Sequence, residues 1–242
     1  MKKLFKVAVI SLLLTATISS CSEDEIVGQG AIIVKELALA PIASVDMRIA
    51  GNVTLLQGDN QTITVTGRNN IIDRLTTRVI NGSWDISLGK GKYTYDRLEI
   101  VIVVPNIQDI ILSGSGTILI EDFVDQGNMK LSLSGSGNIT IQNIEGPETL
   151  DVDIKGSGSI DIDGLFAEVS QMSVDISGSG NLDGYNVSSK NCVVNISGSG
   201  SSKIMVEDHL DVNITGSGVV YYKGQPDIST DITGSGRVVN SN

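Results

Sequence analysis

The sequence predicts an all-β protein folded as a single right-handed parallel β-helix, a β-solenoid with coils of about 20 residues. Three observations carry that prediction. The tripeptide Gly-Ser-Gly occurs seven times, opening at Gly114, Gly135, Gly156, Gly178, Gly198, Gly216 and Gly234 and closing at Gly116, Gly137, Gly158, Gly180, Gly200, Gly218 and Gly236. The openings lie 21, 21, 22, 20, 18 and 18 residues apart. Positions two, four and six before each opening glycine are largely apolar while those between them are mostly polar, the period of a strand with one buried face. No stretch between copies alternates with the period of a helix.

Composition fits one ordered domain and excludes several partners. The chain has 242 residues, 40% of them apolar, with 17 Lys and Arg against 28 Asp and Glu, 27 Gly and 2 Cys. The alternation of the apolar residues argues against disorder. A formal charge of -11 repels phosphate, so no nucleic acid partner is expected, and electrostatic adhesion to anionic lipid is disfavoured.

Residues 1–20 have the parts of a secretory signal peptide: a basic start with Lys2, Lys3 and Lys6, then an apolar run from Val7 to Thr17 too short to span a bilayer. Ile18-Ser19-Ser20-Cys21 is similar to a bacterial lipobox, which predicts lipidation of Cys21 and attachment to the membrane through that anchor. Removing residues 1–20 deletes three lysines and no acid, leaving 14 basic against 28 acidic residues. Residues 21–30 form an acidic tether, whose Ser22-Glu23-Asp24-Glu25 is similar to signals that some Gram-negative lipoproteins use to reach the outer face of the outer membrane. With Cys21 lipidated, Cys192 has no disulfide partner.

The solenoid is expected over 31–242. Residues 31–107 keep strand alternation without Gly-Ser-Gly and read as degenerate coils, with Val45, Met47 and Ile49 before Gly51 and with Leu98, Ile100, Ile102 and Val104 running to Pro105. Over 108–239 the coils align in columns. Leu112, Leu133, Ile154, Ile176, Ile196, Ile214 and Ile232 form one inward column; Ile118, Ile139, Ile160, Leu182, Val220 and Val238 form another beyond the corner, interrupted by Ser202. Glycine is required at the corners for positive φ or for close approach by the next coil. Parallel crossovers make the winding right-handed. The bare last coil predicts weak self-association through the solenoid ends.

The lipobox, the segment Val53-Thr54-Leu55-Leu56-Gln57-Gly58-Asp59, then Ile63-Thr64-Val65-Thr66-Gly67, the strand ending Val104-Pro105-Asn106-Ile107 and the serial Gly-Ser-Gly copies together resemble the head GIN domain of putative autotransporter adhesins. The resemblance covers nearly all of 31–239. It implies a β-helix of pectate-lyase-like shape, often on a lipoprotein, with an adhesin role that is itself an inference for the family. The sequence stops at Asn242, directly after the seventh copy, so a translocating barrel is not expected.

The expected function is non-catalytic: a lipoprotein of the outer membrane or cell surface, binding a glycan or protein. Trp84, Lys90, Lys92, Tyr93 and Tyr95 are the one aromatic and basic concentration along the chain and the candidate contact patch, the alternative being a turn whose aromatics cover the end coil. Asp151, Asp153 and Asp175 share an outward face and are a weak Ca²⁺ candidate, against a solvated charge and Asn ladder that continues through Asn195 and Asn213. A carbohydrate-active β-helix is the rival, with Asp161, Asp163 and Asp183 as outward carboxylates and Lys155 and Lys203 near them. His209 lacks a second ligand or nucleophile, and no cofactor is expected. Of Tyr221 and Tyr222, one must face inward.

Overall fold

The computed structural model describes residues 25–164 and 166–242, with the backbone alone for 166–168. The signal peptide and Cys21 lie outside the described residues. The described residues are nearly all-β, with 64% of them in strands and one short helix, Asn69–Ile72, and form a β-solenoid of about 6 turns with coils of about 21 residues.

Each coil contributes one strand to a first sheet before its corner and one to a second sheet after it. In the first sheet Asp109–Leu112, Met129–Gly135, Thr149–Gly156 and Phe166–Gly178 stack in parallel and in register, so that Leu131, Val152 and Val174 form a column. In the second sheet Thr117–Ile120, Asn138–Ile141 and Ser159–Ile162 do the same. Strands Asn181–Gly198 and Ser201–Gly216 run on around the back of the coil into the next first-sheet position. Their register slips between Gly184 and Ser188, on the return side, where the spacing of copies falls from 20 to 18 residues. Both packed faces keep their registers because the change in coil length is confined to the third side.

The apolar columns form a core that runs the length of the stack, and the inward residues from Leu112 to Ile214 are at most 2% exposed. At about 25 cal/mol per Å² of apolar surface removed from water, this burial is the main stabilising term. Ser202 is fully buried in the column of Ile160, Leu182 and Val220, and its hydroxyl has no hydrogen-bond partner among the described residues. Tyr222 packs against the core, which leaves Tyr221 on the outer face. Cys192 is buried, and the apolar surroundings push its thiol up to about 12, so it is held as an inert thiol.

The two glycines of each corner serve different needs. From Gly135 to Gly234 every opening glycine has positive φ, between 119° and 137°. From Gly135 to Gly216 its carbonyl accepts the serine N–H of the next coil, and at Gly135, Gly178 and Gly216 the closing glycine N–H as well, as Gly135 does from Ser157 at 2.9 Å and Gly158 at 3.1 Å. The closing glycine needs space: a Cβ on Gly158 would lie 2.2 Å from the carbonyl oxygen of Gly137. The intervening serines are exposed, and the corner ladder runs through their backbone N–H groups.

Residues 31–107, expected as degenerate coils, join the same stack out of chain order and partly antiparallel. Ser44–Met47 and Asn52–Gln57 do form a coil directly against Asp109–Leu112 and Thr117–Ile120. On its other side lie Ser83–Ile86 and Leu98–Val104, which come later in the chain. Beyond them Thr62–Arg68 and then Ile32–Glu36 add antiparallel strands. Alternation specifies which face a strand buries and leaves its neighbour open, so this inserted order is invisible to patterning. The outermost strand, Ile32–Glu36, carries Lys35 and Glu36, with Lys35 on Asp73 at 2.8 Å, charges that blunt a sheet edge. At the opposite end Asp227–Gly234 is exposed along its length, including Ile228 and Ile232.

Candidate functional site

The coil of Ser83–Ile86 and Leu98–Val104 is the one place where the tight corner opens into a long loop, 87–97. The neighbouring coil turns the same corner through Arg48, Ile49, Ala50 and Gly51; a Cβ on Gly51 would sit 2.6 Å from the Leu98 carbonyl oxygen, so the two backbones touch at the foot of the loop. Between loop and corner lies an open groove of about 590 Å³, lined by Arg48, Ile49, Leu88, Tyr93 and Tyr95 among others. Tyr93 donates from its hydroxyl to the Gly89 carbonyl at 2.8 Å, which fixes the loop across its own tip. Tyr95 is half-buried; burial pushes its phenol up, and a hydrogen bond with the Ala50 backbone partly opposes that rise.

Ion pairs brace this region. Arg68 grips Asp96 with two hydrogen bonds of 2.6 and 3.0 Å, which raises the guanidinium and lowers the carboxyl from their ordinary values. Arg48 at the groove wall is held by Asp46 at 2.5 Å and lies 3.7 Å from Asp85, so its charge is largely answered by its own face. Lys90 and Lys92 are exposed at the loop tip. Strand Glu25–Val27 pairs in parallel with Lys92–Thr94, placing Glu25 opposite Lys92. The Gln29 N–H donates to the Asn70 side chain at 2.8 Å. Within the tether expected over 21–30, the part from Glu25 onward is therefore docked on the solenoid.

The structure brings together Lys90, Lys92, Tyr93 and Tyr95 and removes Trp84 from the patch. Trp84 is fully buried in the first sheet opposite Val45, with its indole N–H donating to the Thr76 carbonyl at 2.9 Å. Trp84 is the second residue of strand Ser83–Ile86 and sits on its inward parity. Hence it belongs to the core.

The acidic candidates are placed as a ladder. Asp153 and Asp175 are register partners, with Asp151 beside them in the same strand as Asp153. Lys155 binds Asp153 at 2.5 Å, and Asn195 donates to Asp175 at 2.8 Å while accepting from Asn213 at 2.9 Å. Among the described residues no group of three His, Cys, Asp or Glu is arranged to hold a metal, so the trio does not assemble into a Ca²⁺ site. On the second sheet Asp161 and Asp183 are also register partners; Ser159 donates to Asp161 at 2.9 Å and Lys203 pairs with Asp183 at 2.7 Å. His209 is exposed within strand Ser201–Gly216, 4.0 Å from Asp227.

A second aromatic and basic cluster was missed by reading along the chain. The Lys223 ammonium lies 4.4 Å, and that of Lys203 5.9 Å, from the centre of the Tyr185 ring, and Lys203 is the register partner of Tyr221. These residues are about one coil apart in sequence, so only the column alignment could have revealed them.

Comparison with known proteins bears on the fold and the family. The sequence model of the family described as putative auto-transporter adhesin, head GIN domain, matches residues 43–226. The chain belongs to this family. Among solved structures, a putative adhesin from Bacteroides fragilis is 22% identical, with a TM-score of 0.82 over 89% of this chain and 100% of that one. A putative lipid binding protein from Parabacteroides distasonis is 23% identical, with a TM-score of 0.75 over 90% and 100%. A putative adhesin from Parabacteroides merdae is 18% identical, with a TM-score of 0.70 over 90% and 100%. At these identities the likeness establishes that the head GIN solenoid is shared. No curated protein matches the chain. Among the described residues no helix is long and apolar enough to cross a membrane.

Proposed function

We propose that the protein is a non-catalytic, lipid-anchored binding protein of the outer membrane or cell surface, adhesin-like in role, whose loop groove contacts a glycan or protein partner. The observation that carries this reading is the opened corner: in a stack of tight turns, one coil spends an extra loop on a groove lined by two tyrosines with two exposed lysines beside it. Membership of a family named for adhesins, and the names adhesin and lipid binding protein borne by solved relatives, support binding as the class of function. The sequence of residues 18–21 supports the anchor. Three residues separate Cys21 from Glu25, an extended span of at most about 14 Å, so a lipid on Cys21 would hold the loop end near the membrane and let the later coils project. Protease treatment of intact cells, with a periplasmic protein as leakage control, is expected to release peptides from the Gly-Ser-Gly coils, and Cys21→Ser to move the chain out of the membrane fraction. Peptides released only after the outer membrane is broken would end the surface-exposed reading.

We further propose weak self-association through the bare Asp227–Gly234 end, with a second copy adding antiparallel strands to that edge, because the antiparallel strands at the other end leave a charged edge there. Sedimentation of the wild-type chain should show concentration-dependent dimers that Ile232→Lys removes; a monomer at the highest attainable concentration counts against it.

A further inference from the structure

The outer face of the first sheet holds a second open groove, of about 540 Å³, that runs along the stack across four coils. One wall is the column Asp153, Asp175, Asn195 and Asn213, held in register by the strands beneath. The other is the column Lys155, Ser177, Ser197 and Thr215, two residues further along each strand. The two walls differ in what they have left to give. The Asn213, Asn195 and Asp175 side chains are linked head to tail, each using one N–H or one oxygen on its neighbour and retaining the rest of its capacity. The hydroxyls of Ser177, Ser197 and Thr215 make no hydrogen bond among the described residues. Free hydroxyls therefore recur at the interstrand spacing of about 4.8 Å, facing a row of amides and a carboxylate.

We propose that this groove binds an extended, uncharged glycan lying along the solenoid axis. Each sugar would set hydroxyls against one hydroxyl of the small-residue wall and one amide or carboxylate of the ladder. Charge chooses among polymers: Lys155 answers Asp153, which leaves the Asp175 carboxylate in excess, so an acidic polysaccharide is repelled where a neutral one is not. A peptide is a poorer occupant, since the wall offers single side-chain groups and no free strand edge for its backbone. The site is separate from the loop groove and stands whether or not that groove binds anything.

The test uses the full-length chain in detergent and titrates neutral β-linked gluco-, manno- and xylo-oligosaccharides of two to six sugars, with oligogalacturonates as acidic comparators. Saturable binding of at least one neutral series is expected, with affinity rising until the oligomer spans the four coils, about 14 Å, and then levelling off. Ser197→Ala with Thr215→Ala should weaken that binding at least tenfold, and Thr140→Ala, on the second sheet outside both grooves, should leave it unchanged. Both alanines of the double variant are small and sit at solvent-facing strand positions, and an unchanged thermal unfolding midpoint verifies folding. The proposal is overturned by absence of saturable binding across all neutral series, by preference for the acidic oligomers, or by loss of binding in Tyr95→Ala but not in the double variant.

Discussion

Gly158→Ala is expected to destabilise the protein by about 3 kcal/mol or more, while Ser157→Ala, one residue away in the same corner, changes stability by less than about 0.5 kcal/mol. The added methyl of Gly158→Ala would meet the Gly137 carbonyl oxygen at 2.2 Å and a Leu133 methyl at 2.7 Å. The carbonyl cannot rotate away, because it accepts the Ser159 N–H from the coil above. The corner must therefore open, and opening it strains the register of both sheets at once. Stability in such a stack is a sum of neighbour interfaces, so damage at one level weakens the joint between two blocks of coils. Urea unfolding should show a lower midpoint and a broader or two-step transition. A Gly158→Ala protein with the wild-type midpoint would mean that the corner has slack which the contacts deny.

Which residues face inward was legible in the sequence because a strand spends every second side chain on the core and the repeat lets seven copies vote. The vote is misleading where its physical premise fails. Gln108 aligns with the inward column of Met129 and Leu150 yet is exposed, and Ile107 is buried in its stead, after Pro105 interrupts the strand. Ile228 and Ile232 keep the pattern but are 41% and 38% exposed, since among the described residues their strand is paired on one side only. Stacking order in 31–107 was illegible for another reason: antiparallel strands such as Thr62–Arg68 alternate just as parallel ones do. The candidate patch was legible at Gly89-Lys90-Gly91-Lys92, because turn chemistry is local. The Tyr185, Lys203 and Lys223 cluster was not, because its contacts cross coils.

Trp84→Ala is expected to cost about 3–5 kcal/mol, the penalty for emptying a fully buried indole site, and to remove the hydrogen bond at the Thr76 carbonyl as well. Trp84 is the only tryptophan, so its environment can be observed directly. Fluorescence of the folded wild type should be blue-shifted and resist quenching by iodide, then turn red and quenchable in the same step as the loss of β-structure. Efficient quenching in the native protein would return Trp84 to the candidate contact patch. The contrast with Tyr95 separates packing from contact. Tyr95→Ala removes a half-buried ring that packs against the core from the groove wall, and should lower stability by about 1–2 kcal/mol while abolishing whatever the loop groove binds. Because Trp84 supports the sheet beneath that loop, its loss would lower apparent binding only through the unfolded fraction, and cooling or a stabilising osmolyte should restore it. No such treatment should rescue Tyr95→Ala, since a missing contact is not recovered by refolding.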